Sequence, residues 1–131
     1  MPVVDASLFG KLLFHESGYA AVRALLDGGD AFGPPMLRIE LANLARRAAK
    51  IRNLDAAAAA EVLDDLMLGV AFVADNAELG RTTLALALAL DHAAQDCVYL
   101  AVARQLGMPL VTADAVFARK ARRRGDAVEV L

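Results

Sequence analysis

Pro109-Leu110-Val111-Thr112-Ala113-Asp114-Ala115-Val116-Phe117 carries a short apolar run, then a small polar break with an acid, then a return to helix-forming residues. We read a strand at 109–111 and a helix from Ala115 to Arg124, with Asp114 at the turn between them. Pro2-Val3-Val4-Asp5-Ala6-Ser7 repeats the arrangement at the start of the chain: a strand at Val3–Asp5 and a helix from Ser7 to Phe14. Between these lie a helix over Ser17–Leu26, a turn at Gly28-Gly29-Asp30 and a strand at Ala31–Gly33. Pro34-Pro35 opens a helix to Arg52, since proline is tolerated in a first turn. Asp55 caps a helix over Ala56–Leu68 that opens with five alanines, and Val70–Val73 reads as a strand. Asp75 or Asn76 caps the next helix, which takes in Leu84 to Leu90. Gln95–Leu106 is a helix ended by Gly107, and Ala127–Val130 is a last strand. Strands alternating with helices predict an α/β domain with a parallel sheet covered on both faces.

Four carboxylates stand out against that apolar background. Asp5 ends the first strand, Glu40 lies in Leu37-Arg38-Ile39-Glu40-Leu41-Ala42-Asn43-Leu44, Asp96 opens Cys97-Val98-Tyr99-Leu100-Ala101-Val102-Ala103, and Asp114 follows the 109–111 strand. Asp5 and Asp114 can each serve simply as caps for the helices they precede, and Asp96 suits the positive end of a helix dipole. Glu40 is harder to explain that way. It shares a helical stripe with Leu37, Leu44, Ala48 and Ile51, which should face inward, and an inward acid needs a partner or a metal. Oxygen-only ligands suit Mg²⁺ or Mn²⁺, and metals held by acids in a cleft are suited to cutting phosphodiesters.

Ser7 and Thr112 each lie two residues from an acid and can orient it by hydrogen bonding; Ser7 can equally bond its own backbone. Asp91 and His92 are read as loop residues ahead of the Asp96 helix, with a loop cap ranked above a ligand role, His15 as a helix end, Glu61, Asp64 and Asp65 as a solvated face, and Cys97 as a core thiol.

At 131 residues the chain is long enough for one domain, 1–131, with a real core. Its hydrophobic content is 58%, above the roughly 45–50% usual for globular domains. No apolar run approaches the roughly 18 residues of a membrane span, and Asp5 interrupts what would be a signal core. The single Cys97 excludes an internal disulfide and fits a reducing cytoplasm. Net charge is −2, yet ten of the fourteen basic residues fall in two segments, Arg38–Arg52 and Arg119–Arg124. Each segment begins near one of the acids, so a local phosphate-binding patch and a solvated helix face are both open readings. Phosphate-binding glycine loops, a serine-hydrolase elbow and thiolate zinc sites are all missing from the sequence.

The ordered set resembles the PIN-domain ribonucleases, and most closely the VapC-type toxins of toxin–antitoxin pairs. It comprises Val4-Asp5-Ala6-Ser7, Glu40 in a Leu-rich helix, Gln95-Asp96-Cys97-Val98-Tyr99-Leu100-Ala101-Val102-Ala103, and Pro109 through Phe117. The resemblance implies a three-layer sandwich with a mostly parallel sheet of order 3-2-1-4-5, so that strands 1 and 4 are adjacent. Asp5 and Asp114 would then look into one crevice, while Asp75, after the outer third strand, would lie away from it. It further implies a Mg²⁺- or Mn²⁺-dependent endoribonuclease whose catalytic and metal-holding residues are Asp5, Glu40, Asp96 and Asp114, oriented by Ser7 and Thr112. Arg38, Arg119 and Arg123 are the expected RNA-backbone contacts. The implied partners are RNA, a cognate antitoxin and a second copy of the chain, in the cytoplasm and with no membrane. A PIN-fold domain that binds RNA or protein without cutting is the alternative; a phosphoacceptor domain lacks the required Asp and Lys.

Overall fold

A computed structural model describes residues 1–131. The elements in order are β1 (Val3–Val4), α1 (Ala6–Leu13), α2 (Tyr19–Asp27), β2 (Ala31–Gly33), α3 (Met36–Arg52), α4 (Ala56–Met67) and β3 (Val70–Phe72). They continue with α5 (Ala77–Leu90), α6 (Ala94–Leu106), β4 (Leu110–Thr112), α7 (Ala115–Arg123) and β5 (Val128–Val130). The five strands form one sheet of order β3-β2-β1-β4-β5, and every pairing is parallel. The strand order and the flanking helices are those the sequence led us to expect.

Local chemistry explains most of the boundaries. Asp5 is the N-cap of α1 rather than the last residue of β1, its carboxylate accepting from Ser7 N. Asp55 caps α4 through Ala58 N at 2.8 Å, and Asn76, not Asp75, caps α5 through Leu79 N at 2.8 Å. The second helix starts at Tyr19, two residues later than predicted, because Gly18 takes a left-handed φ of 87° that Ser17 could not lead through as helix. The alternating Leu84–Leu90 run is the last part of α5, with Leu79, Thr83, Leu86 and Leu90 buried at helical spacing.

A continuous apolar core runs beneath the sheet and helices, including Val3, Val4, Leu8, Phe9, Leu37, Leu41, Tyr99, Leu100, Leu110 and Phe117. Gly33 lets α3 come in close after β2: a Cβ there would lie 2.6 Å from Leu37 Cδ2. That close approach sets the depth of the first two turns of α3 and so the position of Glu40. The predicted inward stripe holds for Leu37, Leu44 and Ala48, which are buried, but fails at Ile51, which is 70% exposed. A 17-residue helix is about 25 Å long, and its final turn runs past the core.

Candidate active site

The parallel register brings two strand ends level. Val4 pairs with Val111, which places Asp5 opposite Thr112, and Asp5 N donates to Val111 O at 3.4 Å. Asp5 and Asp114 therefore leave the same, carboxyl-terminal edge of the sheet from adjacent strands. The strand order reverses between β1 and β4, the position at which open α/β sheets form their crevice.

Asp5 is buried, and both of its oxygens are engaged. Ser7 donates to Oδ1 through its backbone N at 3.1 Å and through its hydroxyl, and the Thr112 hydroxyl donates to Oδ2. Those two hydroxyls are themselves fixed, since Ala113 N donates to Ser7 Oγ at 2.9 Å and Asp114 N donates to Thr112 Oγ1 at 3.0 Å. The sequence placed Thr112 beside Asp114, two residues on, and its hydroxyl does accept from Asp114 N; the same hydroxyl also donates to Asp5 on the neighbouring strand, a contact that sequence distance does not show. Burial pushes the Asp5 carboxyl up to about 6, the Ser7 and Thr112 hydrogen bonds oppose that, and the nearby Asp96 charge adds to it.

Glu40, half-buried on α3, accepts a hydrogen bond from the Tyr99 hydroxyl of α6. Burial raises the Glu40 pKa and Asp96 raises it further, against the Tyr99 hydrogen bond. The Tyr99 phenol is held well above its ordinary value by burial and by Glu40, with a further contribution from Asp5, so it remains a donor. Asp96 lies in the first turn of α6 and Asp114 caps α7, its Oδ1 accepting from Val116 N and Phe117 N at 3.0 Å each. Capping and site geometry thus coexist at Asp5 and Asp114. His92, Asp96 and Asp114 present ligand atoms within 4.8 Å of one another. That close group does not take in Asp5 or Glu40, although the Asp96 charge acts on both.

None of the four pairs with an arginine or lysine; the chain's salt bridges are Arg81–Glu78, Arg104–Asp126 and the His92–Asp96 contact. Negative charge gathered without an Arg or Lys partner, on oxygen donors, fits a hard divalent cation. Asp75 is exposed beyond the edge strand β3, away from the crevice as expected.

The contacts of two residues escaped the sequence reading. His92, taken for a loop residue, has its ring only 15% exposed and its Nε2 2.8 Å from Asp96 Oδ2. Lys120, counted only as part of a basic run, reaches back to Asp91 O at 2.9 Å and His92 Nδ1 at 3.2 Å. The i, i+4 spacing of His92 and Asp96 was the available signal, masked by the break in helix at Asp91. Cys97 is a buried thiol whose pKa burial raises, as a core role requires. Of the expected RNA contacts, Arg119 and Arg123 are exposed on α7, and Arg38 lies over the Phe72 ring at 3.9 Å.

No curated protein matches the chain. Among solved structures, the crystal structure of PAE2754 from Pyrobaculum aerophilum superposes with a TM-score of 0.67, at 24% identity, over 90% of this chain and 82% of that one. At that identity the likeness concerns the fold alone. The PIN domain family, whose members are generally metal-dependent nucleases, matches residues 3–123. With that span and the parallel five-stranded sheet behind it, the chain belongs to the PIN domain family.

Proposed function

We propose that the chain is an endoribonuclease that uses Mg²⁺ or Mn²⁺, held by Asp5, Glu40, Asp96 and Asp114, and that it is the toxin of a toxin–antitoxin pair. The observation that supports the catalytic reading is that Asp96 and Asp114 present ligand atoms within 4.8 Å of each other while the Asp96 charge acts on Asp5 and Glu40, with no Lys or Arg in a salt bridge to any of the four. A bound cation would supply Lewis acidity, acidifying a water and taking up charge on the phosphate. The chain's own groups supply position. Ser7 and Thr112 fix the Asp5 carboxylate, Tyr99 fixes Glu40, and the first-turn N–H groups of α7 fix Asp114. Arg119 and Arg123 are free to hold RNA phosphates beside the crevice.

The toxin role rests on the VapC-like order of motifs and on apolar surface. Leu84 and Leu88 are 60% and 75% exposed at i, i+4 on α5, and Ile39, Ile51 and Leu68 are exposed as well. A cavity of about 750 Å³ between α1, α2 and α4 is lined by Leu12, Leu26 and Leu66 among others. Such surface suits a second copy of the chain and an antitoxin's amphipathic segment. The catalytic test is cleavage of RNA by the purified protein with Mg²⁺ or Mn²⁺, abolished by EDTA; RNA left intact under both metals would overturn it. The toxin test is growth arrest on expression, relieved by the product of an adjacent small gene. A harmless protein that forms no complex with that product would overturn the toxin role and leave the nuclease reading standing.

A further inference from the structure

We propose that His92, itself set by Lys120, is a positioning residue for Asp96: it ties down one carboxylate oxygen and leaves the other directed at the crevice. The inference rests on the metal-site reading above and adds two residues to it.

Asp96 needs such a partner more than the other acids do. Its side chain is 45% exposed, and the N-cap of its helix, Ala93, makes no side-chain cap. A first-turn aspartate so placed would sample several rotamers. The approach of His92 is built by the backbone. Asp91 ends α5 in a left-handed conformation, φ 49°, and His92 N bonds back to Ala87 O at 3.1 Å. The chain is thereby turned so that the ring lies against Phe117, with centroids 4.8 Å apart.

The hydrogen bonds on the ring then decide its tautomer. A lysine ammonium has donors only, so the Nζ of Lys120, 3.2 Å from Nδ1, requires the Nδ1 lone pair. The proton must sit on Nε2, where it donates to Asp96 Oδ2 at 2.8 Å. Lys120 is itself held by Asp91 O at 2.9 Å. A nitrogen that carries a proton toward Asp96 is not offering a lone pair to a cation. Although His92 lies within 4.8 Å of the ligand atoms of Asp96 and Asp114, the chemistry assigns it to holding a ligand rather than to being one.

Two measurements on the full chain test this. In the first, long-range ¹H–¹⁵N correlation of the imidazole rings in metal-free protein, with His92→Gln assigning the signals against His15, should show His92 as the Nε2–H tautomer. Lys120→Met should convert it to a mixture. An Nδ1–H ring, or one indifferent to Lys120, would overturn the proposal without reference to any metal. In the second, Mn²⁺ titration should show His92→Ala weakening binding by roughly 10- to 100-fold, the usual cost of removing a ligand's supporting partner. His92→Gln, which keeps an N–H near the Nε2 position, should restore most of that loss, and it also guards against a folding defect in the alanine variant. Unchanged affinity in His92→Ala, or ¹⁴N hyperfine coupling to Mn²⁺ that vanishes in His92→Gln, would overturn the positioning role, the latter by making His92 a ligand. If the wild type bound no Mn²⁺, the metal-site reading itself would fall, while the tautomer measurement would still decide whether Lys120 sets the ring.

Discussion

The crevice between β1 and β4 and the basic helix α7 start at the same strand end, yet they treat charge in opposite ways. In the crevice, acids are held by hydroxyls, a phenol, an imidazole and backbone N–H groups, and by no Arg or Lys. Along Arg119–Arg124, cations are held by backbone carbonyls: Lys120 by Asp91 O, Arg122 by Val128 O at 2.9 Å and Arg124 by Ala89 O at 2.8 Å. Arg119 and Arg123 make no such contact and stay exposed. Acids and cations only a turn or two apart therefore leave one another unpaired. Pairing them internally would have been the cheaper arrangement for folding. Kept apart, each sign of charge remains available, one to a divalent cation and the other to phosphate.

The largest expected effect lies on the acid side. Asp5→Asn and Asp96→Asn each keep the shape of the side chain and remove its charge, and each should cut RNA cleavage by more than the roughly 100-fold typical of losing a supporting partner. Asp75→Asn, on the exposed chain after β3, should leave the rate unchanged. Cleavage assays on the three variants check this; an equal loss in Asp75→Asn would place the site elsewhere.

The same crevice should be a liability to the metal-free fold. Asp5 titrates near pH 3.8 when unperturbed and near about 6 in the folded chain. Below the lower value it is protonated in both states; between the two the unfolded chain loses its proton first, so stability falls as pH rises, and above about 6 the deficit is constant. That deficit is on the order of 2–3 kcal/mol at pH 7. Asp5→Asn should therefore raise the metal-free melting temperature at pH 7 and flatten its decline between pH 4 and 6. Added Mn²⁺ should stabilise the wild type and not the variant. Denaturation with and without metal checks both; a variant less stable than the metal-free wild type would mean the carboxylate is not under strain.

What could be read from the sequence follows the same division. Strand ends are announced by local chemistry, as Val3-Val4-Asp5 and Val111-Thr112-Ala113-Asp114 show, and parallel topology then carries both acids to one edge. Glu40 was legible because an acid on an apolar stripe contradicts its surroundings. Thr112 was found through its neighbour Asp114, but its bond to Asp5 was not, since sequence distance does not say which strand lies alongside. The contact between His92 and Lys120 was illegible: it spans 28 residues and depends on the left-handed turn at Asp91, for which an Asp is only one of several permissive residues. Ile51 was misread because periodicity records a helix's face and not where the core beneath it ends.

Tyr99 offers an intermediate test. Its hydroxyl donates to Glu40 from within the core, so Tyr99→Phe keeps the packing and removes one donor. Glu40 should then titrate higher still, because the hydrogen bond is what opposes its burial. We expect about a tenfold loss in Mn²⁺ affinity, at the lower end for a supporting residue. Raising the pH of the metal titration, which favours the ionised carboxylate, should recover part of it. A loss that does not respond to pH would point to a packing defect instead.

The smallest effect belongs to α7, and it separates its two kinds of cation. If Arg119 and Arg123 each meet a phosphate, the double alanine variant should reduce the slope of log affinity against log salt by about 1.4 for single-stranded RNA, close to a sevenfold loss of advantage between 50 and 200 mM salt. Its melting temperature should hardly move, since neither side chain holds any part of the fold. Arg122→Ala with Arg124→Ala should do the reverse. Each removes a bond from a guanidinium to a carbonyl of β5 or α5, so stability should fall while the salt slope stays near that of the wild type. Binding isotherms across a salt series, with melting curves on the same variants, measure both quantities. If the two pairs gave the same slope, the exposed arginines would have no privileged place near RNA, and the separation of charge along α7 would be a matter of solvation alone.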